Sequence, residues 1–230
     1  MVARYALALT LALAAPAAHA QDVAPDALLR AVATEVIAEI KQGQEFHSVD
    51  QAHMAALVEA RIMPLFDFAH MTRLAMARNW HLATPEQQQL LTGEFKTLLV
   101  RTYSGALANY RGEAIHFKKL RAAPLDTDVT VRSEVIQPGK QSMTLDYHME
   151  KTVAGWKIYD IKVAGVRLVT SYRDVFAEKV RDGGVDGLIK SLEDGNRGGG
   201  SRFNSVETAF WEKSRVVYAI FQNMFRSAAQ

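Results

Sequence analysis

The spacing of apolar residues changes near residue 113 and again near residue 163, and these two changes divide the chain. Ahead of the first, Ala27, Leu28, Ala31, Val32, Val36 and Ile40 recur at helical intervals, with Pro25 where a first helical turn tolerates it. A second helical stretch runs from Val49 to Met63 and is stopped by Pro64. "FDFAHMTRLAMARNW" follows, and then "ATPEQQQLLTGEFKTLLVRTYSGALANY". In the latter, Thr84 is an N-cap, Pro85 a first-turn proline and Gln87 the partner that closes a capping box. Leu91, Phe95, Leu98, Leu99, Thr102 and Tyr103 give that helix one apolar face.

From Glu113 the period is two. Strands begin near Ile115 and Phe117, and Val129, Val131, Ser133 and Val135 alternate with polar residues. After a turn at "QPGK", Met143, Leu145, Tyr147 and Met149 alternate in their turn, with Asp146, His148 and Glu150 on the opposite face. "WKIYDIKVA" reads as a further strand with Tyr159, Ile161 and Val163 on one side. Three or four antiparallel strands with one face covered by the preceding helices make an α+β domain.

After Val163 the helical period returns through about Lys179. Gly183 and Gly184 then break it, and "VDGLIKSLED" forms a short helix. Residues 195–203 read as a glycine-rich linker and 204–230 as an amphipathic C-terminal helix. Val206, Phe210, Val217, Ile220, Phe221 and Met224 share one side of that helix, and Trp211, Tyr218 and Phe225 widen it beyond a normal half-face. An exposed apolar face of that width calls for a partner: the rest of the chain, a membrane interface or a transporter subunit.

Residues 1–20 carry an address. Arg4 supplies the positive end, "YALALTLALAAPA" the apolar run and "AHA" the small residues that a signal peptidase needs. The expected mature chain therefore starts near Gln21, with a domain over 21–194. The chain contains no cysteine, which excludes disulfides and thiolate metal sites. A net charge of +2, with no basic run, gives no argument for nucleic acid.

No metal-binding or nucleophile motif appears among the seven histidines and the serines. Asp67, Asp146 and Asp160 are the carboxylates open to an acid–base reading, against the plainer one of surface pairing with lysine and arginine. Phe66, Phe68, Met71, Trp80, Phe95, Tyr103, Tyr110, Met143, Tyr147, Trp156, Tyr159, Tyr172 and Phe176 sit on apolar faces. Such residues either fill a core or line a cavity for an apolar ligand.

The stretches "MPLFDFAHMTRLAMARNW", "ATPEQQQLLTGEFKTLLVRTYSGALANY" and "GWKIYDIKVAGVRLVTSYRDVF" resemble the MlaC family of periplasmic phospholipid-binding proteins, over roughly Ala27 to Leu192. The resemblance implies a cone of the nuclear-transport-factor-like or cystatin-like kind, with an apolar cavity. It also implies a non-enzymatic periplasmic shuttle with no cofactor, its cargo a glycerophospholipid. The implied partners are an outer-membrane lipoprotein complex and the MCE-type subunit of an inner-membrane ABC transporter.

On that basis a lipid slot is expected beneath the sheet face of Val129, Val131, Met143, Leu145, Tyr147, Tyr159, Ile161 and Val163. Its helical walls are Phe95, Leu98, Leu99 and Tyr103 on one side, and Val166, Leu168, Val169 and Tyr172 on the other. Tyr110 and Arg173 are the candidates for a phosphate at the mouth. Two departures stand out: Arg167 where the family commonly has a serine, read as an extra headgroup contact or a solvated charge, and the extension over 195–230. An adaptor without lipid, and a small enzyme using Asp67 or Asp160 as a base, are the alternatives.

Overall fold

A computed structural model of the chain describes residues 23–45, 51–108, 112–123, 125–136 and 142–197. The expected leader, Tyr110, the "QPGK" turn and the amphipathic stretch 204–230 lie outside them. Four helices come first: α1 (Pro25–Glu45), α2 (Gln51–Leu57), α3 (Phe68–Met76) and α4 (Pro85–Ala108). Five strands follow, β1 (Ala114–Phe117), β2 (Asp128–Ile136), β3 (Met143–Thr152), β4 (Gly155–Val163) and β5 (Val166–Arg167), and then α5 (Arg173–Arg197). The sheet is an antiparallel meander in chain order. The α+β expectation is met, with one strand more than the alternation suggested.

Local chemistry accounts for the helix ends. At α4 the Thr84 amide donates to Gln87 Oε1 (2.9 Å) and the Gln87 amide to Thr84 Oγ1 (3.2 Å), a closed capping box. Thr84→Ala should cost about 1 kcal/mol, read as a drop of about 2–4 °C in Tm for a domain of this size. Asp67 caps α3 by accepting from the His70 amide at 2.8 Å. Between α2 and α3 the chain tightens and loosens through a π-helical turn, Val58–Ile62, and a 3₁₀ turn, Met63–Leu65, that contains Pro64. Gly184 (φ 68°, ψ −170°) kinks α5 where the glycine pair predicted a break, in a conformation that side chains resist.

The sequence pattern is overturned between 163 and 173. Ala164 and Gly165 both have positive φ (48° and 91°), so the chain turns back in a two-residue hairpin and adds β5 before any helix starts. The 3₁₀ turn Thr170–Tyr172 then leads into α5. At the other end, α5 continues as helix through Arg197, so residues 195–197 are not linker. Arg101 donates to the carbonyls of Gly195 and Asn196, and Asn196 Nδ2 reaches the Glu94 carbonyl at 2.9 Å, tying this end of α5 to α4.

Two cores result. Helices α3, α4 and α5 enclose Met71, Ala75, Leu91, Phe95, Leu98, Val169, Tyr172, Phe176 and Leu188. Within this core Phe95, Tyr172 and Phe176 meet edge to face at 5.0–5.9 Å. The second core joins Leu28 and Leu29 of α1 to Val129, Val131, Met149 and Ile158 on the sheet. Among the described residues no helix is long and apolar enough to cross a membrane.

Candidate functional site

The inward face of the sheet serves two purposes along its length. Over β2 and the far halves of β3 and β4 it is covered by α1, which packs on Val129, Val131, Met149 and Ile158. Beyond that cover the same face carries Leu145, Tyr147, Ile161 and Val163, and here the helices stand off. The gap is a cavity of about 230 Å³, half open to solvent. Its other walls are Val58, Ile62 and Met63 of the π and 3₁₀ turns, Phe66, Phe68 and Met71 leading into α3, Leu99, Val100 and Tyr103 of α4, and Leu168 after β5. The lining is almost wholly apolar. Tyr147 contributes a phenol stacked on Phe117 at 6.3 Å, and burial pushes its pKa up, so it stays neutral.

A polar strap joins two of the segments that wall the cavity. Lys96 Nζ of α4 pairs with Glu59 Oε1 of the π turn at 2.8 Å and lies 5.7 Å from the centre of the Phe68 ring. It therefore links the two walls that are not part of the sheet. The segment that carries Glu59 is held to the sheet at its far end by the Phe66–Ile158 bridge and the Asp67 amide, which donates to the Ile158 carbonyl at 2.9 Å.

The outward face is polar and internally paired. Asp160, fully buried, accepts from the amides of Ile161 and Val169 (both 2.9 Å) and from Arg167 Nε at 2.7 Å. Asp146 is held by Arg132 and Lys162 at 3.4 and 2.8 Å. His70 Nδ1 meets Glu150 at 2.6 Å, and its ring stacks on Tyr159 at 4.5 Å. The Tyr159 hydroxyl donates to Asp128 (2.9 Å), and burial, then this bond, push its pKa up to about 12. The unfolded chain ionises near pH 10 while the fold keeps the proton, so this contribution is present below pH 10 and lost as pH approaches 12. The stability difference between the natural chain and Tyr159→Phe, measured by urea unfolding, should shrink over that window. Burial lowers the pKa of His148, with Arg167 adding to the effect.

Of the residues expected to line a slot, Leu99, Tyr103, Leu145, Tyr147, Ile161, Val163 and Leu168 meet around the cavity. Phe95, Leu98, Val169 and Tyr172 face the helical core instead. Val129 and Val131 are taken by α1, and Met143 and Val166 pack at the turn end of the sheet with Val135 and Val163.

Tyr159 is on the wrong face for a slot. The β3–β4 register slips between His148 and Met149, so a bulge places Tyr159 and Asp160 together on the outward side. Arg173 is also misplaced as a mouth residue: its Nε donates to the Leu74 carbonyl at 2.8 Å and so caps the end of α3. Arg167 is neither a headgroup contact nor a free charge, being locked to Asp160 away from the cavity. Asp67 caps α3 between two residues of the cavity wall, and Asp146 and Asp160 are ion-pair partners on the outward face.

Val58, Ile62, Met63 and Val100 are wall residues that the sequence pattern does not mark, and Phe66, Phe68 and Met71, among the residues able to line a cavity, do line it. Among the described residues no three His, Asp or Glu side chains gather as a metal site.

Sheet, helices and cavity define an α+β protein with an apolar cleft between its layers and a sealed polar back. The family model of the MlaC protein matches residues 30–194, and the chain belongs to that family. It is 23% identical over 175 residues to the toluene tolerance protein ttg2D of Pseudomonas putida, covering 74% of this chain and 78% of that one. Against the intermembrane phospholipid transport system binding protein MlaC of Haemophilus influenzae it is 21% identical, covering 75% and 82%. Among solved structures, the phospholipid-binding protein of Ralstonia solanacearum, in complex with a phospholipid, superposes with a TM-score of 0.67. The two are 42% identical, over 74% of this chain and 96% of that one.

Proposed function

We propose that this protein is a periplasmic phospholipid carrier, the soluble component of an Mla-type system moving lipid between the outer and inner membranes. The observation that carries the reading is the apolar cleft between sheet and helices, in a chain 42% identical to a relative with phospholipid bound. A diacyl lipid has about 30 methylenes, and at ~0.8 kcal/mol each its passage through water costs on the order of 20 kcal/mol. A lining of Leu, Ile, Val, Phe and Met removes that cost without any hydrogen-bond code for the tails. The leader-like residues 1–20 support export. An outer-membrane lipoprotein complex and an MCE-type transporter subunit are the partners this reading implies, and it includes no catalytic step.

The cavity of about 230 Å³ is smaller than the roughly 300–1,000 Å³ of pockets for drug-sized ligands. Loading must therefore widen it. Hydrogen-bonded strands resist such movement, so the wall that gives is the π and 3₁₀ segment strapped to α4 by Lys96. Lys96→Ala should change stability by less than about 1 kcal/mol, since the pair is part exposed. The same change should speed transfer of labelled lipid between vesicles.

Lipid extraction and native mass spectrometry of protein purified from the periplasm test the proposal. One or two glycerophospholipids per chain are expected. A protein consistently free of lipid would favour an adaptor role, and turnover of a small carbonyl compound would favour an enzyme.

A further inference from the structure

Among the described residues, part of β2 is a bare sheet edge. β1 ends at Phe117, opposite Ser133, and the Lys118 amide makes one more ladder bond, to the Arg132 carbonyl at 2.8 Å. The chain then leaves the sheet, while β2 extends to Asp128 with β3 on its other side only. Main-chain groups alternate in direction along a strand, so Asp128 and Thr130 turn their N–H and C=O to the same side as Arg132. No main-chain partner among the described residues meets them there.

The β1–β2 connection leaves this edge uncovered. Between the two lies a polar groove of about 790 Å³, bordered by Lys119, Arg121 and Asp126 of the connection and by Asp128, Thr130 and Arg132 of β2. Sheet edges of this kind take up extended peptides by strand addition.

Charge says which peptide fits. The carboxylates at the groove are engaged within the fold. Asp126 accepts from the Ala123 amide at 2.7 Å and Asp128 from the Tyr159 hydroxyl at 2.9 Å. Glu134 pairs with Lys118 at 2.6 Å, and Asp146 with Lys162 at 2.8 Å. Lys119 and Arg121 have no acidic partner among the described residues. The Arg132 side chain is 66% exposed and has only a 3.4 Å contact with Asp146, which Lys162 already neutralises. Cations are therefore in surplus beside an unused ladder edge.

We propose that the edge of β2 over Asp128–Arg132 receives an extended acidic peptide from a protein partner. Main-chain bonds pair the peptide to Asp128 and Thr130, and Lys119, Arg121 and Arg132 hold its carboxylates. The peptide prolongs the line of β1, antiparallel to β2, so its residue opposite Thr130 lies diagonal to Arg132 on the outward face, within reach of a glutamate side chain. The seat is on the side of the sheet away from the cleft, so it does not rest on the carrier reading and holds with or without lipid.

The probes are the blocked heptapeptide Thr-Glu-Val-Glu-Val-Glu-Thr and its counterpart Thr-Lys-Val-Lys-Val-Lys-Thr, added to full-length protein whose amides are followed by NMR. The acidic peptide should slow exchange of the Thr130 N–H with water about ten-fold or more, and the lysine peptide should leave it unchanged. Thr130→Pro removes an N–H that bonds no main-chain group in the fold, at an edge position of the kind where proline is tolerated. With circular dichroism unchanged, this variant should bind the acidic peptide about ten-fold more weakly or worse. Lys119→Glu combined with Arg121→Glu, on the exposed connection, should weaken the acidic peptide and admit the lysine one.

An unprotected Thr130 amide at the highest soluble concentration of acidic peptide would overturn the proposal. Binding that survives Thr130→Pro would overturn it as well, leaving a patch that holds anions without strand pairing. Equal affinity for the two peptides, or indifference to the charge-reversed pair, would remove the acidic partner. If Thr130→Pro fails to fold, amide protection in the natural chain and the charge-reversed pair decide between the same outcomes.

Discussion

Leu145→Asp should strip the protein of co-purifying phospholipid. Leu145 lies on β3 in the floor of the cleft, beside Tyr147 and opposite Val163 in the β3–β4 register. A carboxylate there must either stay charged in an apolar surround or take up a proton to avoid doing so, and both cost several kcal/mol once acyl chains exclude water. Lipid retention is expected to fall by at least about 100-fold, equivalent to about 2.8 kcal/mol. Leu145→Met, close in volume and flexible, should retain its load. Lipid extraction from the two variants, with circular dichroism to establish folding, decides the matter. Equal lipid content in both would remove the cleft from the mechanism.

Asp160→Ala should be the most destabilising single change on the outward face. Its carboxylate is fully buried and binds two backbone amides and Arg167 at once. Deleting it leaves two amides without their acceptor and a guanidinium held next to them without its counter-charge. The expected loss is about 3 kcal/mol, or about 6–12 °C in Tm. Removing Arg167 as well takes away that uncompensated charge, so Asp160→Ala combined with Arg167→Ala should cost less than Asp160→Ala alone. Equal losses would mean that the amides, not the ion pair, carry the effect. Neither variant should lose lipid in proportion to its stability, since the pair faces away from the cleft.

Much of this architecture was legible before any coordinates. Thr84, Pro85 and Gln87 announce α4 because capping chemistry is local, and the paired amides and side chains are those expected. Alternation along Met143 to Met149 told inward from outward, because the β3 period is unbroken. Tyr159 failed for the same reason in reverse: a bulge is one extra residue, and its effect on every position before it cannot be seen in a period-two pattern. Val129 and Val131 failed differently. Their inward orientation was right, but whether α1 or empty space lies opposite is a matter of tertiary packing. The walls at Val58, Ile62 and Met63 hide in a π turn, where neither the helical nor the strand period applies. Arg173 carried a charge suited to phosphate, yet the nearest acceptor was the Leu74 carbonyl of a neighbouring helix.

The bulge at Tyr159 has a further consequence, for how this strand tolerates change in length. β4 is two half-strands of opposite parity: Ile158 faces inward on one side of the bulge and Ile161 and Val163 on the other. Deleting the extra residue at the bulge restores strict alternation with both halves facing as they do now, because Ile158 and Ile161 are then two positions apart. A single deletion between Ile161 and Val163, by contrast, turns one of them away from the cleft. Away from the bulge, only changes in pairs keep each half in phase. Among homologues and engineered variants, length changes in this strand should come in twos except at the bulge, where a lone deletion should keep both the cleft and the α1 contact in phase.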